Sequence, residues 1–71
     1  MASDICAAVG KRIRMLRKAR GWRQIDLAAH SGINVIHLSH VERGKKELGL
    51  RNLQILANTF ECSLSEFFKD L

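Results

Sequence analysis

The sequence predicts an all-α fold, a compact bundle of short helices, and three observations carry that prediction. Proline is absent and there are only five glycines in 71 residues, so long structured segments joined by short connections are favoured. Tyrosine is also absent and β-branched runs are scarce, which argues against a sheet. Apolar residues recur at helical steps through most of the chain.

The first helix spans about Asp4 to Arg20. Ile5, Val9, Ile13 and Leu16 follow one another at steps of four, four and three, which is one helical face. Ser3 or Asp4 caps its start, Gly21 ends it in a left-handed turn, and Lys11, Arg14 and Lys18 form a basic face. Gly10 lies inside the segment at a cost of up to ~1 kcal/mol relative to alanine, so a weak or bent point is expected there. Trp22 follows in the connection and reads as a core anchor ahead of a stacking surface for bases.

Gln24 to Gly44 is the centre of the chain, QIDLAAHSGINVIHLSHVERG. Two apolar-periodic segments flank Gly32, Ile33 and Asn34. Ala28 is small enough for close helix approach, and Gly32 can take the positive φ of a tight turn. Leu27 and Ala28 point inward from the second helix. Leu38 and Val41 do so from the third, for which Asn34 is the N-cap. At 100° per residue Val35, Ile36, Ser39, His40 and Arg43 then face outward. Between Gly44 and Leu50 lies the polar loop KKELG. Leu50, Leu53, Leu56, Ala57 and Phe60 give a fourth helix, and Ser63 with Glu66 forms a capping box for a short fifth. The whole of residues 1–71 reads as one domain, with the stretch from 50 to 71 completing the core. A core this small is marginal alone, and dimerisation is the ordinary way to bury more apolar surface.

Charge is distributed unevenly. Residues 1–23 hold seven cations against Asp4, a net +6; residues 24–48 balance, and residues 49–71 carry −1. The basic third suits a polyanion, either nucleic acid or an acidic membrane surface, or is a solvated helix face. No apolar run approaches the ~20 residues of a membrane span and no signal peptide is evident, so a cytoplasmic protein is expected. Cys6 and Cys62 lack metal-ligand spacing and read as free thiols rather than a redox pair. No carboxylate pair, nucleophile–base set or phosphate loop stands out, and His30, His37 and His40 have no ligand cluster around them. Neither an enzyme nor a metal or cofactor site is expected.

The outward residues of the third helix suit a major groove. Val35 and Ile36 are placed to pack on thymine methyls and Ser39 and His40 to hydrogen-bond bases, with Asn34 beside them. An exposed isoleucine also fits a protein-contact patch. Backbone phosphates would be met by the N-terminus of the second helix with Arg23 and Gln24, by Arg43, Lys45 and Lys46 after the third, and by Arg51 and Asn52 at the fourth.

The segments GKRIRMLRKARGW, RQIDLAAHSGIN, VERGKK and LANTFECSLSEFF, together covering about Val9 to Phe68, resemble the Xre/Cro family of lambda-repressor-like helix-turn-helix regulators. The resemblance implies a compact five-helix domain and sequence-specific binding of double-stranded operator DNA by a homodimer, as a transcription regulator. The chain's length makes it most like the short controller proteins of restriction–modification systems, with Cro-like repressors close in plan. The resemblance also implies a phosphate contact by Gln24 and base reading by Val35, Ile36 and His40. An ion pair of Arg17 with Glu42 and a dimer interface drawn from Leu50, Phe60, Leu64, Phe67 and Phe68 follow from it too. Two departures stand out: Arg23 replaces the usual Ser or Thr cap, and Val35 and Ile36 replace polar readers. The alternative is an antitoxin-type module or protein-interaction domain, with a toxin or RNA polymerase as its protein partner. Either would work on the nucleoid of a prokaryote or with phage DNA.

Overall fold

The computed structural model describes residues 4–71, and Ser3, the other cap candidate of the first helix, lies outside them. Five helices follow in order: α1 (Ile5–Ala19), α2 (Gln24–Ser31), α3 (Val35–Glu42), α4 (Leu50–Thr59) and α5 (Leu64–Phe67). The described residues contain no strand.

Local chemistry sets most of the boundaries. The Asp4 carboxylate accepts the Cys6 amide at 2.8 Å, and Asn34 Oδ1 accepts those of Ile36 and His37 at 2.8 and 3.2 Å. Ser63 and Glu66 exchange both bonds of the capping box, at 2.8 and 3.0 Å. Gly32 has φ +76°, which turns the chain from α2 into α3.

The core gathers Val9 and Ile13 from α1, Leu27 from α2, Leu38 and Val41 from α3, Leu56 from α4 and Phe67 from α5. Three further members lie outside the helices: Phe60 just after α4, and two in connections. Ile33 in the turn and Leu48 in the KKELG loop are buried, because each side chain drops into the gap between the helices it joins. That loop is therefore anchored rather than wholly polar. Helix ends differ in the opposite sense. Ile5 and Leu50, expected on apolar faces, are 57% and 84% exposed, since each is the first residue of its helix and extends past the packed region.

Gly10 has a different role from the weak point expected of it. It sits where α1 crosses the end of α3, and a Cβ there would lie 2.5 Å from the Val41 carbonyl oxygen and 2.6 Å from that of Glu42. The missing side chain permits a close backbone approach between the two helices. One helical turn pair further along, Arg17 meets Glu42, both buried.

Trp22 is half-buried against the core and joins α1, α2 and α4. Its ring stacks on His30 at 4.2 Å between centroids and 12° between planes, and lies 6.1 Å from Phe60. The Arg20 guanidinium sits 5.3 Å from the indole and donates to the Phe60 carbonyl at 2.9 Å. A flexible linker thereby becomes a fixed corner that sets the direction of α2.

Candidate nucleic-acid interface

The outer face of α3 is built by what its inner face buries. Leu38 and Val41 are withdrawn from solvent, which leaves Ile36 at the N-terminal end 65% exposed. Val35, Ser39 and His40 are half-buried around it. The Asn34 cap fixes the first turn, so Asn34 spends its side-chain oxygen on α3 and keeps its amide N–H groups for outside contacts. Arg43 Nη2 lies 3.3 Å from His40 Nδ1. Arginine only donates, so Nδ1 of His40 is the acceptor side of this contact.

The cations and amides read as phosphate contacts divide into two groups. Lys45, Lys46 and Arg51 are exposed, and among the described residues none of the three is in an ion pair. The others are engaged locally. Arg23 Nε and Nη2 each donate to Asp26 at 3.1 Å, and the Asp26 carboxylate also accepts the Arg23 amide at 2.8 Å. Arginine has no acceptor to offer the helix in return, so only this half of a capping box forms. Those hydrogen bonds, the guanidinium's first, hold the Asp26 carboxyl below its ordinary range. Asn52 Nδ2 donates to the Leu48 carbonyl at 3.2 Å and ties α4 to the preceding loop.

Gln24 belongs to a buried network that sequence spacing did not reveal. Arg17 grips Glu42 with Nε to Oε2 at 2.7 Å and Nη2 to Oε1 at 2.9 Å, and its Nη1 donates to the Trp22 carbonyl at 2.9 Å. Gln24 Nε2 donates to the same Glu42 Oε1 at 3.1 Å. One of its two amide hydrogens is thus held by Glu42 and the other stays available at the N-terminus of α2. Glu42 therefore orients the first residue of α2 as well as pairing with α1. The sequence signal for this arrangement is Gly10 and Arg17 seven residues apart on one side of α1, small beside charged.

The five dimer candidates also separate. Phe60 and Phe67 are 5% and 1% exposed: they are core residues, because α5 folds back on α1 and α4 and seals the bundle with them. Leu50 and Leu64 are exposed and Phe68 is half-buried. Beside Leu50 and Phe68 an open apolar groove of about 340 Å³ runs between the start of α1 and the start of α4, with Ile5, Cys6 and Leu53 in its walls. The described residues contain no cluster of three or more histidine, cysteine or acidic groups that could hold a metal. None of the described helices is long and apolar enough to cross a membrane.

A helix-turn-helix presenting an outward α3, flanked by free cations and a helix N-terminus, defines a class of protein, and comparison with known proteins gives the same class. The family model HTH_3, helix-turn-helix, matches residues 13–67, and the chain belongs to that family. It is 37% identical over 60 residues to the competence pilus inhibition repressor of Acinetobacter baylyi, covering 84% of this chain and 54% of the relative. It is 35% identical over 68 residues to the HTH-type transcriptional regulator PuuR of Escherichia coli, covering 96% of this chain and 37% of the relative. The chain thus spans about half or less of the length of these relatives. Among solved structures, the restriction–modification controller protein C.AhdI of Aeromonas hydrophila superposes with a TM-score of 0.83 at 35% identity, covering 89% of this chain and 96% of that one. The five helices have the lambda-repressor-like arrangement of these neighbours.

Proposed function

We propose that this chain is a sequence-specific regulator that binds a roughly palindromic operator as a homodimer in the cytoplasm, in the manner of a restriction–modification controller. The observation that carries the reading is the fixed, outward α3. Its N-terminal turn is capped by Asn34, its inner face is locked by Leu38 and Val41, and Ile36 is 65% exposed. Val35 and Ile36 pack on thymine methyl groups. Ser39 and the His40 imidazole supply hydrogen bonds to base edges. Lys45, Lys46 and Arg51 meet phosphates on one side of the groove, while Gln24 and the free amides of α2 meet them on the other. Arg43 and Arg23 join them on leaving His40 and Asp26. The near-complete coverage of C.AhdI supports the controller reading.

Two copies place two α3 helices in successive major grooves about 34 Å apart. The apolar surface around Leu50, Leu64, Phe68 and the adjoining groove supports a second copy as what covers it.

Selection of bound sites from random duplex DNA tests the reading, followed by binding of the Ile36→Ala and His40→Ala variants. An inverted repeat should emerge, and each variant should change discrimination at particular base pairs by ~1–3 kcal/mol. If no sequence is enriched, or both variants keep wild-type preference, α3 is not the reader.

A further inference from the structure

Between Ile5 and Ala19, α1 carries five cations and no carboxylate. Two are used inside the fold. Arg17 is bound to Glu42, and Arg12 closes the end of α5, with Nη1 donating to the Phe67 carbonyl at 2.7 Å and Nη2 to that of Lys69 at 2.8 Å. Lys11, Arg14 and Lys18 remain exposed and take part in no ion pair among the described residues. At 100° per residue the three fall within a sector of about 60°, and Ala7 lies in the middle of the same sector.

Ala7 shows which way that sector points. It is the residue against which Gly44 packs at the end of α3: a Cβ on Gly44 would lie 3.0 Å from the Ala7 Cα. Gly10, beside it on α1, touches the carbonyls of Val41 and Glu42. The stripe therefore begins where α1 meets the chain just after α3, at Gly44, the residue before Lys45, whereas Arg12 and α5 occupy the other flank. A face kept only for solubility mixes signs. This one carries three like charges, whose mutual repulsion a polyanion relieves. Asp4 borders the N-terminal end of the stripe beside Ala7 and Lys11, where its carboxylate is committed to capping α1 through the Cys6 amide.

We propose that Lys11, Arg14 and Lys18 form a second phosphate-binding track, continuous with Lys45 and Lys46, that holds DNA outside the segment read by α3. The inference rests on the DNA-binding reading above. The track reads no sequence; it adds affinity that depends on the length of DNA beyond the operator.

Fluorescence anisotropy on two duplexes with the same selected operator tests it. One duplex ends at the operator's edges, and the other extends it by about one helical turn of arbitrary sequence on each side, about 10 bp. The comparison is between wild type and the triple variant Lys11→Gln, Arg14→Gln, Lys18→Gln, with far-UV circular dichroism to verify an unchanged fold. Wild type should bind the longer duplex roughly tenfold more tightly at low salt, and its log–log salt slope should steepen by about 0.9 for every phosphate gained. The variant should bind both duplexes alike, at the wild-type affinity for the short one, and keep the wild-type preference for operator over scrambled sequence. Equal wild-type affinity for both duplexes would overturn the proposal, as would a variant that loses the same factor on both. A variant indistinguishable from wild type on every duplex would also overturn it and assign the stripe to an acidic protein surface. Loss of preference for operator over scrambled DNA by the wild type would sink the base-reading claim instead, and the length dependence would still decide the track.

Discussion

Replacing Gly10 by alanine separates two opposite expectations. In an exposed helix interior the change stabilises by about 1 kcal/mol, because alanine loses less backbone entropy and is the better helix former. Here the new methyl carbon would lie 2.5 Å from the Val41 oxygen, 2.6 Å from the Glu42 oxygen and 2.9 Å from the Glu42 carbonyl carbon. All three are backbone atoms and cannot rotate aside, so the end of α3 and α1 must separate by several tenths of an ångström. That shift loosens Ile13 against Val41 and draws Glu42 away from an Arg17 that it grips at 2.7 Å. Overpacking of this kind costs about 1–3 kcal/mol, and immovable neighbours place it at the upper end. Against the propensity gain, a net loss of about 2 kcal/mol is expected. For a domain of this size, with about 4–8 °C for each kcal/mol, that lowers the melting temperature by roughly 8–16 °C. Urea unfolding followed by circular dichroism, at two protein concentrations to separate any contribution of association, measures it. An unchanged or raised midpoint would refute the close-approach reasoning and return Gly10 to an ordinary helical glycine.

Three further outcomes follow from the same geometry. Glu42→Ala leaves the buried Arg17 guanidinium unpaired and should cost ~3–5 kcal/mol in denaturant unfolding, with part of the loss recovered when Arg17→Met is added; a loss below 1 kcal/mol would show that the pair contributes little. The Asp26 carboxyl is held below its ordinary value of 3.8, so its contribution to stability is complete above that pH and is lost as the pH falls through the depressed value. Asp26→Asn should therefore flatten the acid limb of the stability profile below about pH 4, and an unaltered limb would remove the Arg23 pair from the account. Leu50→Glu, at a position 84% exposed, should leave the monomer fold intact and shift sedimentation velocity from dimer to monomer at micromolar concentration. A dimer that survives it would locate the interface away from the groove.

What the sequence determined by itself was everything governed by neighbours within one turn of chain. The order of five helices, the Asn34 cap, the Ser63 and Glu66 capping box, the Gly32 turn and the inward set Leu27, Leu38 and Val41 all depend on spacings of two to four residues, which periodicity and side-chain chemistry report directly. The outward α3 face was legible for the same reason, as the complement of the buried one. Where long-range packing decides, spacing is silent. Ile33 and Leu48 lie in connections with no period, so only the gap between helices shows that each is core. Ile5 and Leu50 keep the period of their helices but lie beyond the bundle's edge. Phe60 and Phe67 are indistinguishable from Leu64 and Phe68 as apolar residues near the C-terminus; the return of α5 onto α1 and α4 buried the first pair and left Leu64 at the surface. Gly10 looked like a defect because its role depends on a carbonyl some thirty residues away. Gln24 could be placed at the start of α2 from sequence, but the carboxylate that orients it comes from the end of α3. A side chain's chemical type is local, whereas its partner is set by which helices the core brings together.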